Sequence, residues 1–283
     1  MSEMEVEERV RNAGTQLTAA ERRVAHVVLE RPQLVGFGTV ADLAEAAGAG
    51  AATVVRLAAK LGFDGFSALQ ASIQRDLSRQ LRPAAERIRE LGGDQPITRH
   101  RSAELSNVQA TLDAVDPETL DAVVTLFADV DRDLLVLAGD AERGVATQFA
   151  TELGALRPGV SMISGSDVTV RRQLALSAPG STMVVVDLRR YERWVLDAFG
   201  QGKGAGHTIV ALTDGLLSPL AMGAHHSFAI SAASVSPFDS HVGTLALFDL
   251  LVGLTAERLK DSAAERLQLV ETAWAEGSTL TDR

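Results

Sequence analysis

The chain has 283 residues, of which 46% are hydrophobic, and it carries a formal net charge of -10 at pH 7. This length accommodates two packed domains or one large one. The absence of cysteine excludes disulfide bonds, thiolate metal sites and a thiol nucleophile.

Three further features limit the class of protein. Residues 1–8 are acidic where a secretory signal peptide is basic and then apolar, so we expect a cytoplasmic protein. The most apolar stretch, residues 243–256, contains Asp249 and is too short to cross a bilayer, so no membrane association is expected. The six histidines show no metal-ligand spacing, and we expect neither a metal nor another cofactor.

The negative charge is concentrated in the second part of the chain. Residues 1–82 contain 10 Lys/Arg and 10 Asp/Glu residues, whereas residues 83–283 contain 17 Lys/Arg and 27 Asp/Glu residues. Residues 9–82 have a surplus of +4, which is enough for modest attraction to phosphate groups.

The first predicted elements are helices with polar caps. Thr18 and Glu21 form a capping-box pattern that opens a helix through about Glu30, and Arg31-Pro32 ends it. Thr39 then caps a short helix, and a third, longer helix begins near Ser67.

Residues 39–63 predict a helix-turn-helix. Ala44 is small where two crossing helices approach, and Gly48 adopts the left-handed conformation that ends the first helix. The predicted buried face is formed by Leu43, Ala47, Val54, Leu57 and Leu61.

The second helix of this motif carries Thr53, Arg56 and Lys60 on the face opposite the buried one. Arg56 is expected to contact a guanine edge or a phosphate, and Thr53 is expected to contact a thymine methyl group or a phosphate oxygen. Lys60 is expected to contact a phosphate. Together with Thr39 and Ala52 they form the predicted contact set for double-stranded DNA. The alternative is a plain helical bundle with exposed cations; the N-cap position of the second helix is Gly50, where Ser is favoured.

Beyond the helical head, Pro83 and residues 92–96 mark a hinge, and an amphipathic helix is expected over about 102–114. We therefore divide the chain into a DNA-binding domain (1–82), a helical linker (83–115), an effector and dimerisation domain (116–260) and a helical tail (261–283).

Short apolar runs alternate with helical segments after Asp116-Pro117, which starts a helix. The runs lie at 134–137, 160–163, 183–186, 209–212 and 227–230. Buried parallel strands have this pattern, so we predict an α/β domain with a doubly wound, five-stranded parallel sheet. Ligands bind beyond the carboxyl ends of such strands, which makes the loops at Gly139, Asp187, Thr213 and Ser231 the candidate site.

Several short segments, in this order, resemble the RpiR/MurR family of bacterial transcriptional regulators. They are residues 17–22, 52–56, 60–63, 209–214 and 218–221. The resemblance implies an N-terminal helix-turn-helix domain that binds a DNA operator as a homodimer or homotetramer. It also implies a C-terminal SIS (sugar isomerase) domain that binds a small metabolite, usually a phosphorylated sugar.

Both loops that usually cradle the phosphate in a SIS domain are altered here. The Ser-x-Ser-Gly-x-Thr loop after the third strand is replaced by residues 187–192, Asp-Leu-Arg-Arg-Tyr-Glu. The first loop reads Gly139-Asp140-Ala141-Glu142-Arg143, with Arg143 at the position of a hydroxyl residue.

Two explanations for these arginines stay open. Arg143 with Arg189 or Arg190 forms a different clamp for a phosphate or carboxylate, or the arginines pair with Asp140, Asp187 or Glu192 and the site is vestigial. The full candidate set for the effector is Gly139, Asp140, Arg143, Asp187, Arg189, Arg190, Thr213, Ser236 and Asp239.

These observations predict a bacterial transcription factor, not an enzyme, that acts on sugar or carbohydrate-derivative metabolism. Its operator binding is expected to respond to a small anionic metabolite, a sugar phosphate or sugar acid. No catalytic residue is assigned, because only His241 is placed for proton transfer and no second base or nucleophile pair accompanies it. The alternatives are a sugar-phosphate isomerase with a helical appendage and a SIS module that only dimerises.

Overall fold

The computed structural model describes residues 6–13, 17–30, 32–80, 84–90, 92–215 and 218–279. The chain forms two compact units, Met1–Glu86 and Arg87–Arg283, and each is described by itself. No helix in these described ranges is long and apolar enough to cross a membrane.

The first unit is helical throughout. Its helices are α1 (Val6–Ala13), α2 (Ala19–Glu30), α3 (Pro32–Phe37), α4 (Val40–Ala46), α5 (Ala51–Lys60) and α6 (Gly65–Gln80). Thr18 and Glu21 exchange capping hydrogen bonds at the start of α2, as the sequence predicts. Pro32 was expected to end that helix, but it also starts α3, because proline lacks the N–H that the first helical turn leaves unpaired. Arg31 lies outside the described residues.

The helix-turn-helix consists of α4 and α5. Gly48 has a φ of +54°, the left-handed conformation expected after the end of α4. The predicted buried residues of both helices are at most 6% exposed and form one core with α2, α3 and α6. Gly50 is the N-cap of α5 and provides no side-chain hydrogen bond, as expected from its identity.

The second unit contains one parallel sheet with helices on both faces. Its helices are α7 (Ala84–Arg87), which begins in the first unit, α8 (Pro96–Asp113), α9 (Pro117–Ala128), α10 (Arg143–Leu156), α11 (Asp167–Leu176), α12 (Arg193–Gly204), α13 (Pro219–Gly223), α14 (Val242–Leu259) and α15 (Asp261–Glu276). The strands are β1 (Leu134–Ala138), β2 (Val160–Ile163), β3 (Thr182–Val186), β4 (Thr208–Thr213) and β5 (His226–Ala229).

The strand order is β2-β1-β3-β4-β5, and every pair is parallel. Alternate residues of each strand point to opposite faces. Val136, Val184 and Val210 belong to the core that includes α9, α10 and α14, whereas Leu137, Val185 and Ala211 belong to the core that includes α11 and α12. The doubly wound α/β prediction is confirmed. The order of connection reverses between β1 and β3, so their carboxyl ends border the crevice where such sheets bind ligands.

Helix α8 is longer than the helix expected over about 102–114, and it packs against α14. Asn107 is fully buried; its amide donates to the Ala233 carbonyl at 2.7 Å and accepts from the Ala233 N–H at 3.0 Å. Thr111 accepts a hydrogen bond from the Ser231 N–H at 3.0 Å. The helix thus holds the segment that follows β5, which the amphipathic pattern alone did not indicate.

Candidate functional sites

The predicted DNA-contact set surrounds helix α5 and the start of α4. Ala52, Arg56 and Lys60 are exposed on α5. Thr39 is exposed at the N-cap of α4, where it exchanges hydrogen bonds with Asp42. These hydrogen bonds from Thr39 hold the pKa of Asp42 below its ordinary value.

Thr53 does not lie on the exposed face. It is 7% exposed, and its hydroxyl accepts a hydrogen bond from the Arg56 guanidinium at 3.2 Å. The expectation that its side chain faces solvent is therefore wrong, because α5 turns this position toward the core of the unit. The contact holds one terminal nitrogen of the Arg56 guanidinium group, and a role for either residue in DNA binding stays a prediction.

Lys60 makes an ion pair that the sequence reasoning missed. Its ammonium lies 2.7 Å from Oε2 of Glu21, which is 3% exposed. The hydrogen bond from Lys60, with that from the Thr18 N–H, lowers the pKa of Glu21 to about 2. Glu21 therefore caps α2 and also links α2 to α5. The ion pair fixes the position of the Lys60 ammonium group.

Arg23 also supports the turn, and no spacing rule pointed to it. Its guanidinium donates to the carbonyls of Ala47 at 3.2 Å and Gly48 at 3.0 Å. These bonds satisfy carbonyl groups at the end of α4 that lack helical partners.

In the second unit, the predicted site residues lie at the carboxyl ends of the strands. Gly139 directly follows β1, Asp187 follows β3, Thr213 ends β4, and residues 231–241 connect β5 to α14. The sequence therefore placed these loops at the correct edge of the sheet.

Three carboxyl groups converge beside Gly139. A Cβ atom at this position would lie 2.8 Å from Glu142 Oε2, 2.9 Å from Asp187 Oδ1 and 3.1 Å from Glu192 Oε1. Asp187 accepts a hydrogen bond from the Glu192 N–H at 2.8 Å, and Glu192 accepts from the Asp140 N–H and from the Trp194 indole. Only glycine leaves room for this arrangement. Glu142 and Glu192 were not predicted as site residues.

Burial changes the protonation of this carboxyl cluster. Glu142 is 3% exposed, and burial together with the charge of Asp187 raises its pKa to about 8. Asp187 is 2% exposed, and burial raises its pKa to about 7. At neutral pH, Glu142 is mainly a neutral hydrogen-bond donor, so the cluster repels an anion less than its composition suggests.

A second group of contacts surrounds Asp214. Its carboxylate accepts hydrogen bonds from the Arg189 N–H at 3.0 Å, from the Thr213 hydroxyl at 3.3 Å and from the Tyr191 hydroxyl. Burial and this hydrogen bond raise the pKa of Tyr191. Arg189 has a φ of +60°, a left-handed conformation that non-glycine residues rarely adopt. Asp214 thus stabilises a strained loop directly after β3.

Two arginines of the predicted clamp, Arg143 and Arg189, are paired with carboxylates of the chain. Arg143 pairs with Asp140 on the surface, one of the partners that the sequence suggested. Arg189 pairs with Asp239 at 2.7 Å, which the sequence did not suggest, and Asp239 also pairs with Arg87 at 2.6 Å. Arg190 is exposed.

The remaining predicted residues organise the loop before α14. The Ser236 hydroxyl donates to the Phe238 carbonyl at 3.0 Å and accepts from the Phe238 N–H at 3.2 Å. Asp239 pairs with the two arginines and does not cap α14. The Val242 N–H donates to the Ser240 hydroxyl at 3.2 Å, and burial lowers the pKa of His241.

Within the described ranges, no group of three or more His, Cys, Asp or Glu side chains is placed to hold a metal ion. The carboxyl cluster beside Gly139 is held by hydrogen bonds from the chain itself. This edge of the sheet thus offers carboxyl donors, a tyrosine and guanidinium groups to a polar ligand.

Comparison with known proteins matches both units. Residues 4–80 match the helix-turn-helix domain model of the rpiR family, and residues 127–254 match the SIS domain model. The chain is 26% identical over 261 residues to the HTH-type transcriptional regulator HexR of Pseudomonas aeruginosa, with 89% of each chain covered. It is 24% identical over 281 residues to the HTH-type transcriptional regulator YfhH of Escherichia coli, covering 93% of this chain and 98% of the relative.

Two solved structures have similar folds. The sugar isomerase domain of an RpiR transcription factor from Sphaerobacter thermophilus is 28% identical, with a TM-score of 0.58, and covers 63% of this chain and 99% of its own. The Vibrio vulnificus NanR protein complexed with ManNAc-6P is 22% identical, with a TM-score of 0.58, and covers 98% of this chain and 100% of its own.

Proposed function

We propose that this chain, whose two units match the rpiR-family helix-turn-helix model and the SIS model, is a transcriptional regulator of the RpiR family. In this proposal a small anionic carbohydrate derivative held by the SIS domain controls how tightly the helix-turn-helix domain binds DNA. The proposal includes a palindromic operator, a homodimer or homotetramer of the chain, and action in the cytoplasm. It also keeps the domain boundaries at residues 82, 115 and 260.

The observation that carries this proposal is the charged cluster at the carboxyl edge of the sheet, between the ends of β1 and β3. Arg189 and Arg87 present guanidinium groups there, and Glu142 presents a protonated oxygen at neutral pH. Guanidinium groups bind phosphate and carboxylate, whereas protonated oxygens donate to sugar hydroxyls or to an anion. The phosphorylated ligand of the similar NanR structure supports this class of effector.

The helix-turn-helix contributes an exposed face on α5. Arg56 and Lys60 are the cations of that face, and Ala52 leaves space beside them for a base edge or the DNA backbone. An arginine whose guanidinium group is already held by Thr53 loses less conformational entropy when its other nitrogens contact a guanine or a phosphate. We assign DNA contact to Arg56 and Lys60, and we assign orientation of Arg56 to Thr53.

A salt-controlled gel shift on the DNA upstream of the gene tests the proposal, with and without sugar phosphates and sugar acids. We expect a specific shift that one compound strengthens or relieves by about 5- to 150-fold, the usual range of coupling between two sites. The binding constant is expected to fall steeply with salt concentration. Absence of any sequence preference would contradict the proposal.

One observation favours a second function, the isomerisation of a sugar phosphate. Glu142, with a pKa of about 8, lies beside Asp187, with a pKa of about 7, so one group can donate and the other accept a proton near neutral pH. Uptake of solvent deuterium at C1 of a ketose phosphate or at C2 of an aldose phosphate, followed by NMR, measures this chemistry. Turnover by the wild type that is lost in Glu142→Gln would establish that the protein is an enzyme. If the wild type exchanges no deuterium, regulation is the only function that this proposal retains.

A further inference from the structure

We infer that Arg87 is an effector-binding residue, and that an effector phosphate or carboxylate takes the place that the Asp239 carboxylate occupies between Arg87 and Arg189. This inference rests on the proposed function, since it names a residue and a binding step for the same effector. Arg87 lies outside both matched segments, residues 4–80 and 127–254, so neither family model gives it a role.

The junction brings together three segments that are far apart in the sequence. Oδ1 of Asp239 accepts a hydrogen bond from Nη1 of Arg87 at 2.6 Å and from Nη1 of Arg189 at 2.7 Å. Arg189 follows β3, Asp239 precedes α14, and Arg87 ends α7. Two guanidinium groups that share one carboxylate oxygen are already arranged around an anion.

The charges at this junction do not balance. Two positive groups face one negative group, and the three side chains are only 21%, 19% and 12% exposed for Arg87, Asp239 and Arg189. Water and salt therefore screen the surplus less than they screen a surface ion pair. Nε of Arg87 is also buried and has no hydrogen-bond partner among the described residues, so a donor is available for a second anionic oxygen.

The other acidic groups of this edge offset this surplus only in part. Burial raises the pKa of Glu142 to about 8, and the charge of Asp239 contributes to this rise, so Glu142 is mainly neutral at pH 7. Asp187 is partly protonated at that pH, since burial raises its pKa to about 7. Asp214 accepts hydrogen bonds from the Arg189 N–H and the Tyr191 hydroxyl, which are neutral donors, so its carboxylate offsets part of the surplus.

The other two loop arginines are less suited to hold the effector. Arg143 is 54% exposed and pairs with Asp140, which is 73% exposed. Arg190 is also exposed. An ion pair at such exposure contributes little free energy and is screened by salt. The partly buried pair of Arg87 and Arg189 is therefore the anion-binding element of this edge.

Exchange at Asp239 reaches Arg87, the first residue of the second unit. Arg87 is bonded to Glu86, the last residue of the first unit, and Asp239 holds it through a single carboxylate. An effector that takes the place of Asp239 changes how Arg87 is restrained. The effector thereby gains a direct connection to the part of the chain that leads to the helix-turn-helix.

Titration of the full chain with inorganic phosphate tests the inference, with chloride used to hold the ionic strength constant and calorimetry as the readout. Asp239→Asn keeps the shape of the side chain but removes the competing charge, so we expect phosphate to bind about tenfold more tightly. Arg87→Gln removes one guanidinium, so we expect binding about tenfold weaker. Arg89→Gln removes the same charge from an exposed position two residues away and serves as the matched control, with unchanged binding expected.

The gain of affinity in Asp239→Asn is the result that a merely structural role would not produce. The inference is overturned if Asp239→Asn binds phosphate no more tightly than the wild type, or if Arg87→Gln binds as the wild type does. Circular dichroism checks that each variant folds. If Arg87→Gln does not fold, Arg189→Gln tests the same junction by removing the other guanidinium group. We expect the same loss of about tenfold in phosphate affinity, and wild-type affinity would overturn the inference. These titrations need no DNA, so a failed gel shift contradicts the proposed function without bearing on Arg87.

Discussion

The Glu142→Gln variant is expected to become more stable than the wild type as the pH rises, with the effect in the second unit. Burial raises the pKa of Glu142 from 4.5 to about 8 in the folded chain. Between these two values the folded state binds more protons than the unfolded state, so the stability of the wild type falls with increasing pH. Glutamine has nearly the same shape and does not titrate, so the variant escapes this loss.

The magnitude follows from the width of that window. Each pH unit inside it costs up to about 1.4 kcal/mol, so the three units from pH 5 to pH 8 give an upper bound of about 4 kcal/mol. Because Glu142 and Asp187 titrate together, part of this proton uptake belongs to Asp187. We therefore expect Glu142→Gln to be more stable than the wild type by on the order of 3 kcal/mol at pH 8.

Urea unfolding followed by tryptophan fluorescence is the appropriate assay, because Trp194 and Trp274, the two tryptophans of the chain, both lie in the second unit. Glu152→Gln, at an exposed position of the same helix α10, is the matched control and is expected to show no such trend. If the difference between Glu142→Gln and the wild type is the same at pH 5 and pH 8, the reasoning about burial of this carboxyl is refuted.

Three further substitutions test other parts of the molecule. Arg56→Ala is expected to weaken operator binding by about 1–3 kcal/mol with the fold intact, measured by gel shift and circular dichroism; unchanged binding would remove Arg56 from the recognition face. Gly139→Ala is expected to destabilise the second unit by about 1–3 kcal/mol, because its Cβ would lie 2.8 to 3.1 Å from three carboxyl oxygens; a urea midpoint equal to that of the wild type would show that the cluster relaxes freely. Arg157→Ala is expected to cost about 3 kcal/mol, since this 1% exposed guanidinium donates to the carbonyls of Phe127, Pro158 and Arg132; a loss below about 1 kcal/mol would mean that water replaces those bonds.

Much of the fold was predictable because local patterns agree with the tertiary structure. The five apolar runs coincide with β1 to β5 within a residue or two; the central strands β1, β3 and β4 are buried on both faces and therefore need uninterrupted apolar residues. The caps at Thr18, Thr39 and Asp116 also appear where the sequence placed them, because a cap requires only a short polar side chain and the next turn of helix.

The candidate site was predictable only in its location. Parallel strands carry their loops to one edge, so Gly139, Asp187 and Thr213 were found from strand positions alone. The partners of those residues were not: Arg189 meets Asp239 across 50 positions, and Arg87 meets Asp239 across 152. Thr53 shows the same limit on a helix, since a small rotation of α5 decides which face of the helix is buried.

The sequence by itself determined the helical first unit, the doubly wound second unit and the edge of the sheet where the candidate site lies. Periodicity, capping and turn residues act over a few neighbouring positions, and they are therefore readable without knowledge of the fold. Only the tertiary structure decided that Glu142 and Asp187 are buried beside Gly139, and that Asp239 joins Arg87 to Arg189. Burial and electrostatic interaction depend on distances between segments that the sequence does not specify, and these distances determine the protonation and the free charge of the site.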